Sequence, residues 1–314
     1  MINKILQAAK LLENVSNKTP VMTSRTLNEQ TGLDVYLKCE NFQRIGAFKF
    51  RGAYNAIYNL SEENKKNGII THSSGNHAQA VALVGKLLSI DTTIVMPKNA
   101  PLVKIQATKQ YGAEVVFSES TIQDREDTCN ALIKKNNLTL IHPYDNDMVI
   151  AGAATASKEF TDDYRLDIMI TPCGGGGLLS GTAIYCKESN AVQSVFGAEP
   201  EMANDAYLSF KNSVLHDQVT PNTIADGLRT TLSNRTFKYI SKYVDDIILV
   251  SEEEIKSAME FLWTRMKLIV EPSGAVPLAA IIKLAKNNDI IPNTKVGIIL
   301  SGGNVELTNY FSSL

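Results

Sequence analysis

An alternation of apolar stretches with amphipathic stretches is the feature that most constrains the fold of this chain. Strands that alternate with helices predict parallel strands joined by crossover helices. Between residues 61 and 147 the pattern predicts a polar connection at 61–67, strands at 68–72, 92–96, 114–117 and 139–141, and helices at 76–88, 101–111 and 122–135. Before this region the pattern predicts helices at 3–14 and 53–60 and a strand at 35–39. After it the pattern resumes with helices at 148–159, from 178 onward, at 252–266 and at 273–285, and strands at 167–171, 195–198 and 296–300, while residues 206–236 are less regular.

The length of 314 residues exceeds the size at which a single hydrophobic core keeps growing, so two domains are expected. The simplest division is a smaller domain at 61–146 inserted into a larger domain built from 1–60 and 147–314. In α/β proteins of this kind ligands bind beyond the C-terminal ends of the strands, often between domains.

Composition excludes several classes of function. A net charge of -2 provides no field for binding nucleic acid or an acidic membrane, and no apolar run is long enough to span a bilayer. The four cysteines form no CxxC pair, which favours a reduced, cytoplasmic protein. The four histidines form no HExxH motif, which disfavours a zinc enzyme.

The stretch Gly46-Ala47-Phe48-Lys49-Phe50-Arg51-Gly52 holds a lysine between two phenylalanines. Apolar neighbours that exclude water lower a lysine pKa and make the amine a usable nucleophile. A lysine in such a setting is, however, more often a surface side chain whose head reaches water. The interpretation of Lys49 as reactive therefore depends on partners elsewhere in the chain.

Four consecutive glycines, Gly174, Gly175, Gly176 and Gly177, lie between a predicted strand and a predicted helix. Bare N–H groups at a helix N-terminus favour a bound phosphate. The alternative is a flexible turn. The spacing matches neither the Walker motif nor GxGxxG, so a phosphate outside a dinucleotide is favoured.

Two further loops follow predicted strands. The loop Ser73-Ser74-Gly75-Asn76-His77 offers hydroxyl, amide and N–H donors for a carboxylate, although Ser74 could simply cap a helix. Ser301-Gly302-Gly303-Asn304 places a hydroxyl at the end of the last strand, where an ordinary turn would use the same residues.

An acidic loop runs from Glu199 to Asp205. Two carboxylates with backbone carbonyls between them suit a hard divalent cation, and a solvated acidic loop is the alternative. Together, a desolvated lysine, a phosphate loop, a carboxylate loop and a hydroxyl describe a pyridoxal phosphate site, because that cofactor carries an aldehyde, a phosphate and a ring nitrogen.

The chain resembles the fold-type II pyridoxal phosphate enzymes, in the group of serine racemase, threonine dehydratase and threo-3-hydroxyaspartate dehydratase. The motifs that carry the resemblance occur in the family's order: GAFKFRG, THSSGNHAQA, MPKNAP, GGGGLLSG, IADG, VEPSGA and LSGGN. The resemblance implies a two-domain, tryptophan synthase β-like α/β fold with parallel sheets flanked by helices.

The resemblance also implies roles for individual residues. Lys49 would hold the cofactor covalently, and Phe48 would pack against its ring. Asn76 would bond the ring's phenolic oxygen, Gly174 to Gly177 would bind the phosphate, and Ser301 would face the ring nitrogen. The substrate carboxylate would be bound by Ser73, Ser74, Gly75, Asn76 and His77, and Ser74 would act as the acid on the face opposite Lys49.

Within the group, GAEPEMANDA resembles a divalent-cation loop in which Glu199, the carbonyl of Ala203 and Asp205 bind Mg²⁺, Ca²⁺ or Mn²⁺. The implied activity is dehydration of serine- or threonine-type β-hydroxy amino acids to a 2-oxo acid and ammonia, with accompanying serine racemisation. Alternatives inside the group are a dedicated serine racemase and a threo-3-hydroxyaspartate dehydratase. The segment Gly152-Ala153-Ala154-Thr155 departs from the GQGT of many relatives.

The resemblance implies a small amino acid as substrate. Relatives in the group are commonly homodimers and some bind ATP as an effector, but no motif in this sequence decides either point. Two competing interpretations come from other classes. A catalytically silent ligand sensor on the same fold is disfavoured by the intact lysine motif. A dehydrogenase would need GxGxxG with an acidic residue about twenty positions later, and neither stands in the right place.

Overall fold

A computed structural model describes residues 1–100, 102–217 and 220–307. In this part of the chain ten strands form two sheets. They are β1 Val21–Thr23, β2 Asp34–Cys39, β3 Ile69–His72, β4 Thr92–Pro97, β5 Glu114–Ser118, β6 Thr139–Leu140, β7 Ile168–Pro172, β8 Ser194–Pro200, β9 Asp246–Val250 and β10 Lys295–Leu300.

Thirteen α-helices connect these strands within the described residues. They are α1 Ile2–Leu12, α2 Arg25–Thr31, α3 Lys49–Tyr58, α4 Glu62–Asn67, α5 Asn76–Leu88, α6 Leu102–Gln110, α7 Ile122–Asn136, α8 Asp147–Asp163, α9 Gly177–Glu188, α10 Asp205–Asn212, α11 Asn234–Tyr243, α12 Glu252–Thr264 and α13 Pro272–Lys286.

The larger sheet has the strand order β1-β2-β10-β7-β8-β9, and the smaller sheet has the order β5-β4-β3-β6. Only the edge strand β1 runs antiparallel to its neighbour; the other described pairings are parallel. The predicted α/β class with helix-flanked parallel sheets is confirmed. Since the C-terminal ends of parallel strands share one edge, the loops after β7 and β10 lie side by side.

Two apolar cores cover the faces of the larger sheet. Helices α12 and α13 pack on one face, and α1, α8 and α9 pack on the other. A third core joins α3 to the smaller sheet, because Phe50 and Ile57 pack in one cluster with Ile69 and Val81. The division into domains at residues 60 and 147 stays a prediction, and α3 contacts elements on both sides of it.

The predicted connection at 61–67 is wrong, because residues 62–67 form the helix α4. Ser61 accepts a hydrogen bond from the Asn64 N–H and caps this helix, and Gly68 ends it at a φ of 89°. Glu62 and Glu63 lie in the first turn and lysines in the last, which complements the helix dipole. The helix buries no residue, so it carries no apolar periodicity that would reveal it.

Other boundaries agree within a few residues. The helix predicted at 76–88 is observed there as α5, whereas β1, β9, α2, α10 and α11 were not predicted. The start predicted at Pro101 lies outside the described residues. Strand β1 has three residues and α2 has seven, which leaves little pattern to detect, whereas the ten-residue α11, which begins inside the stretch interpreted as irregular, is strongly amphipathic and was missed.

Helices α3 and α8 approach closely because each contributes a glycine to the contact. A Cβ atom added at Gly152 would lie 2.5 Å from the Arg51 carbonyl oxygen and 2.7 Å from the Gly52 Cα. Both neighbouring atoms belong to the backbone, so they cannot rotate away. The departure from the family pattern at Gly152-Ala153-Ala154 thus lies in a tightly packed helix contact.

We expect Gly152→Ala to destabilise the protein by about 1–3 kcal/mol, because overpacking outweighs the gain in helix propensity. Urea unfolding of the two proteins measures the difference. The matched control is Gly75→Ala, since an added Cβ at Gly75 meets no atom within 4 Å. Equal stability of Gly152→Ala and wild type would contradict the close contact.

Candidate active site

Lys49 is the first residue of α3 and follows a tight turn. Ile45 and Gly46 adopt φ values of 59° and 71°, which bring the chain into the helix from the side of β10. The Phe48 N–H donates to the Ser301 carbonyl oxygen at 3.0 Å, and Ala47 forms a bridge with Gly302. These backbone contacts join the lysine segment to the loop that follows β10.

The Lys49 ammonium lies in a mostly apolar setting. Its Nζ donates to the Pro143 carbonyl oxygen at 2.9 Å and lies 5.2 Å from the centre of the Phe48 ring. Burial lowers the pKa of Lys49 to about 8, although the negative charge of Glu271 acts in the opposite direction. A substantial fraction of the amine is therefore neutral close to physiological pH. Phe50, on the other side, is fully buried in the core.

Glu271 is a site residue that the sequence did not reveal. It lies just before α13, is 5% exposed, and accepts a hydrogen bond from Asn76 Nδ2 at 2.7 Å. Asn76 Oδ1 in turn accepts from Asn304 Nδ2 at 2.8 Å. Both polar atoms of the Asn76 side chain thus contact protein groups, and one N–H of the amide remains for a ligand. The VEPSGA motif contains Glu271, but the motif alone does not place its charge beside Lys49.

The glycine loop connects β7 to α9, as predicted. No hydrogen bond among the described residues uses the N–H groups of Gly174, Gly175 or Gly176. Gly176 adopts a φ of 82° before the first turn of α9, where helix N–H groups lack internal partners. The loop therefore presents several N–H donors together with the positive end of a helix dipole.

The Tyr144 ring lies directly on this loop. Cβ atoms added at Gly175 and Gly177 would come within 2.3 Å and 2.9 Å of Tyr144 atoms. Burial raises the pKa of Tyr144 to about 12, so the phenol stays protonated. Glycine is needed at 175 and 177 for this aromatic contact, a requirement that the predicted phosphate site did not include.

The turn that carries Tyr144 depends on a neutral histidine. His142 Nδ1 accepts hydrogen bonds from the Asp145 N–H at 2.8 Å and the Tyr144 N–H at 3.4 Å. Burial, followed by the charges of neighbouring groups including Lys49, lowers the pKa of His142 to about 4. The ring nitrogen can therefore act as an acceptor at neutral pH.

The predicted carboxylate loop lies between β3 and α5. Ser73 Oγ accepts from the Gly75 N–H at 3.3 Å, and Ser74 is half-buried. His77 Nε2 lies 2.9 Å from the Ile141 carbonyl oxygen, which assigns the proton to Nε2. His77 Nδ1 is buried without a partner among the described residues, and burial lowers the pKa of this imidazole well below its usual range.

Arg125, near the start of α7, was also not singled out from the sequence. Its Nε is buried and has no hydrogen-bond partner among the described residues. Burial lowers the pKa of Arg125. Burial also lowers the pKa of His72, and the positive charge of Arg125 adds to that effect. A lone arginine in an amphipathic helix carries no signal that distinguishes it from a surface charge.

The predicted residues around Lys49 are thus connected by contacts into one cluster. Ser301, 4% exposed at the end of β10, joins the lysine segment. Glu271 connects that segment to Asn76. The carbonyl of Pro143 connects Lys49 to Tyr144 and the glycine loop. The binding roles of these residues stay predictions.

The predicted metal ligands form a separate group at the end of β8. Glu199 and Asp205 are 0% and 2% exposed, and Ala203 lies in the 3₁₀ turn between them. Glu199 accepts from the N–H groups of Ala206 at 3.0 Å and Tyr207 at 2.8 Å, and Asp205 accepts from the Leu232 N–H at 3.3 Å. No set of three or more His, Cys, Asp or Glu side chains in the described part of the chain is arranged as metal ligands.

Burial raises the pKa of both carboxyls in this group. The pKa of Glu199 lies well above its usual range because of burial and the nearby Asp205, and that of Asp205 is raised to about 7. Two buried acids close to each other favour either a proton or a bound metal ion.

No helix among the described residues is both long and apolar enough to cross a membrane.

Comparison with known proteins identifies similar chains over the whole length. Residues 12–302 match the family model described as pyridoxal-phosphate dependent enzyme. The serine racemase of Dictyostelium discoideum is 48% identical over 98% of this chain and 96% of that protein. The L-threo-3-hydroxyaspartate ammonia-lyase of Saccharomyces cerevisiae is 46% identical over 98% of this chain and 94% of that protein. The structure of maize serine racemase superimposes with a TM-score of 0.96 at 38% identity, covering 99% of this chain and 96% of that one.

Proposed function

Since the chain belongs to the pyridoxal-phosphate dependent enzyme family, we propose that it converts small β-hydroxy amino acids to a 2-oxo acid and ammonia and also racemises serine. The resemblance predicted from the motifs is confirmed at the level of the family and of its dehydratases and racemases. The observation that carries the proposal is the buried Lys49 amine, whose pKa of about 8 makes it available as a base.

The residues present fit pyridoxal phosphate. The N–H groups of Gly174, Gly175 and Gly176, which have no partner among the described residues, suit a phosphate at the start of α9. Lys49 would hold the cofactor covalently, Phe48 and Asn76 would contact its ring, and Ser301 would face the ring nitrogen. When bound, the cofactor supplies an electron sink for negative charge at the substrate Cα.

The chain's own groups then perform the proton transfers. Once the substrate amine has released Lys49 from the cofactor, the neutral Lys49 amine would remove the Cα proton, and Glu271 keeps the pKa of that amine from falling further. The donors of the Ser73–His77 loop orient the substrate carboxylate, and the open space beside Gly75 leaves room for it. Dehydration would follow when the β-hydroxyl takes up a proton and leaves as water, and hydrolysis of the resulting unsaturated amine gives the 2-oxo acid and ammonia. Racemisation would follow when a proton returns to Cα from the opposite face, for which Ser74 is the proposed donor.

We expect Lys49→Ala to abolish ammonia release and racemisation, with loss of the visible absorbance that cofactor addition produces in the wild type. Mass spectrometry after borohydride reduction should find the cofactor on the Lys49 peptide of the wild type. Lys134→Ala, which removes an exposed lysine, is the matched control. A Lys49→Ala variant that keeps the absorbance and the activity would refute the assignment.

Ser74→Ala should reduce serine racemisation at least tenfold more than L-serine dehydration, because only racemisation needs a proton donor on the second face (a factor of about 10²–10⁴ for a positioned acid). Chiral chromatography and keto-acid analysis of one reaction measure both products. Equal losses of the two activities would remove Ser74 from this role.

The substrate preference is tested by analysing the products formed from L-serine, L-threonine and L-threo-3-hydroxyaspartate, with and without EDTA. The relatives are named for serine racemisation and for ammonia release from hydroxyaspartate. A dominant rate with hydroxyaspartate would favour that dehydratase over the proposed broader activity.

A divalent cation (Mg²⁺, Ca²⁺ or Mn²⁺) is proposed between Glu199, the Ala203 carbonyl and Asp205. This proposal is supported by the raised pKa values of the two buried acids. The wild-type backbone hydrogen bonds to Glu199 use one acceptor position on each oxygen and leave others for a metal. Homodimer formation, an ATP effector and a cytoplasmic location also stay predictions.

Without metal, stability should fall as the pH rises, because the folded state keeps a proton on Asp205 up to about pH 7 while the unfolded chain loses it near 3.8. Added Mg²⁺ should therefore raise the unfolding temperature at about pH 8 and have little effect at about pH 5, where protons compete. Asp205→Asn should remove the metal response and weaken the pH dependence, leaving the part that comes from the buried Glu199. A metal response that is equal at the two pH values, or that survives in Asp205→Asn, would contradict the site.

A further inference from the structure

The turn His142-Pro143-Tyr144 contacts both halves of the candidate site. On one side the Pro143 carbonyl accepts the hydrogen bond of Lys49 at 2.9 Å. On the other side the Tyr144 ring covers Gly175, where an added Cβ would lie 2.3 Å from the ring. Whatever holds this turn therefore sets the distance between the reactive amine and the phosphate-binding N–H groups.

Asp145 anchors the turn through both its backbone and its side chain. Its N–H donates to His142 Nδ1 at 2.8 Å and closes the turn. Its Oδ1 accepts from Ser233 Oγ at 3.0 Å and from Arg235 Nε at 2.8 Å. The turn is thereby tied to the first turn of α11.

Arg235 also connects α11 to the start of α8. Its Nη1 donates to Asp147 Oδ1 at 2.8 Å, so one planar guanidinium spans Asp145 and Asp147 at the start of α8. Asp147 also accepts from Tyr239 on α11 and Lys4 on α1. The planar guanidinium of arginine presents its N–H donors in a fixed geometry, so it specifies the orientation of its carboxylate partners better than a lysine ammonium can.

Helix α11 in turn packs behind the glycine loop. A Cβ added at Gly176 would lie 2.7 Å from Leu232 and 2.9 Å from Thr236 and Ile240. Ser180 Oγ donates to the Thr236 carbonyl oxygen at 3.4 Å. Contacts thus connect Lys49 to Pro143, the turn to Arg235 through Asp145, and α11 to the glycine loop.

We propose that Asp145 and Arg235 are a positioning pair, which holds the His142–Tyr144 turn on the glycine loop and so places the Lys49 amine relative to the phosphate. The inference rests on the proposed function of Lys49. The side chains of Arg235 and Asp145 are 41% and 38% exposed, so their pairing contributes little to global stability. The contribution of the pair is to geometry.

The test compares Arg235→Ala, Asp145→Ala and the double variant with wild type. Lys238→Ala is the matched control, since it removes an exposed positive charge from the same helix. The primary measurement is the dissociation constant of pyridoxal phosphate added to cofactor-free protein, followed by fluorescence. The circular dichroism of the bound cofactor reports its orientation, and the unfolding temperature of the cofactor-free proteins reports the fold.

Each single variant should weaken cofactor binding by about tenfold and reduce the circular dichroism of the bound cofactor, as expected for misplaced binding groups. The double variant should lose no more than the larger single loss, because the two residues act as one unit. All unfolding temperatures should stay within about 3 °C of wild type.

The proposal is overturned if Arg235→Ala binds the cofactor as tightly as wild type, if Lys238→Ala is equally impaired, or if the two single losses add. Failure of the underlying function gives a different result. In that case Lys49→Ala retains activity, whereas failure of the positioning pair alone leaves Lys49→Ala inactive and Arg235→Ala unaffected.

Discussion

The buried ion pair between Arg51 and Glu40 is the interaction on which the candidate active site depends. The two side chains are 1% and 0% exposed and share two hydrogen bonds of 2.8 Å. Glu159 joins the pair from α8, 3.0 Å from Arg51. Burial opposes the charged form of each group, yet the carboxylates raise the pKa of Arg51, and Arg51 lowers that of Glu40. Removing one partner would leave a buried charge at a cost of about 3–5 kcal/mol.

This pair matters for function because Arg51 lies two residues after Lys49 in the first turn of α3. Its bonds to Glu40 and Glu159, together with the glycine contact to α8, hold the start of the helix in place. The amine that projects from this helix start then meets two opposing influences. Burial disfavours its charge, and Glu271 favours it. Their balance brings the pKa of Lys49 near neutrality, where a group can act as base in one step and as acid in the next.

Much of this arrangement was predictable from local patterns. The alternation of strands and helices predicted the α/β class, and the glycine tetrad was placed correctly between a strand and a helix. These predictions succeed because apolar periodicity and glycine-rich turns are encoded over a few neighbouring residues. The helix α4 was missed for the same reason, since it is stabilised by capping and charge and buries no residue.

Contacts between distant parts of the chain were not predictable in this way. Glu271 acts on Lys49 from more than two hundred positions away, and Arg235 meets Asp145 across 90 positions. Tyr144 lies on the glycine loop and His142 accepts the hydrogen bonds of its turn, and no local pattern in the sequence predicts either contact. The sequence shows which residue types are present, but only the packing of the sheets and helices determines which of them come into contact.

The sequence by itself determined the chemistry available to this protein: a lysine among aromatic residues, a glycine loop of the kind that suits a phosphate, and donors of the kind that suit a carboxylate. These features depend on residue types at short spacings, which can be recognised directly in the sequence. Tertiary structure alone decided that the lysine amine is held by the Pro143 carbonyl and balanced by Glu271. A pKa depends on burial and on charges within a few ångströms, and these distances exist only after the chain has folded.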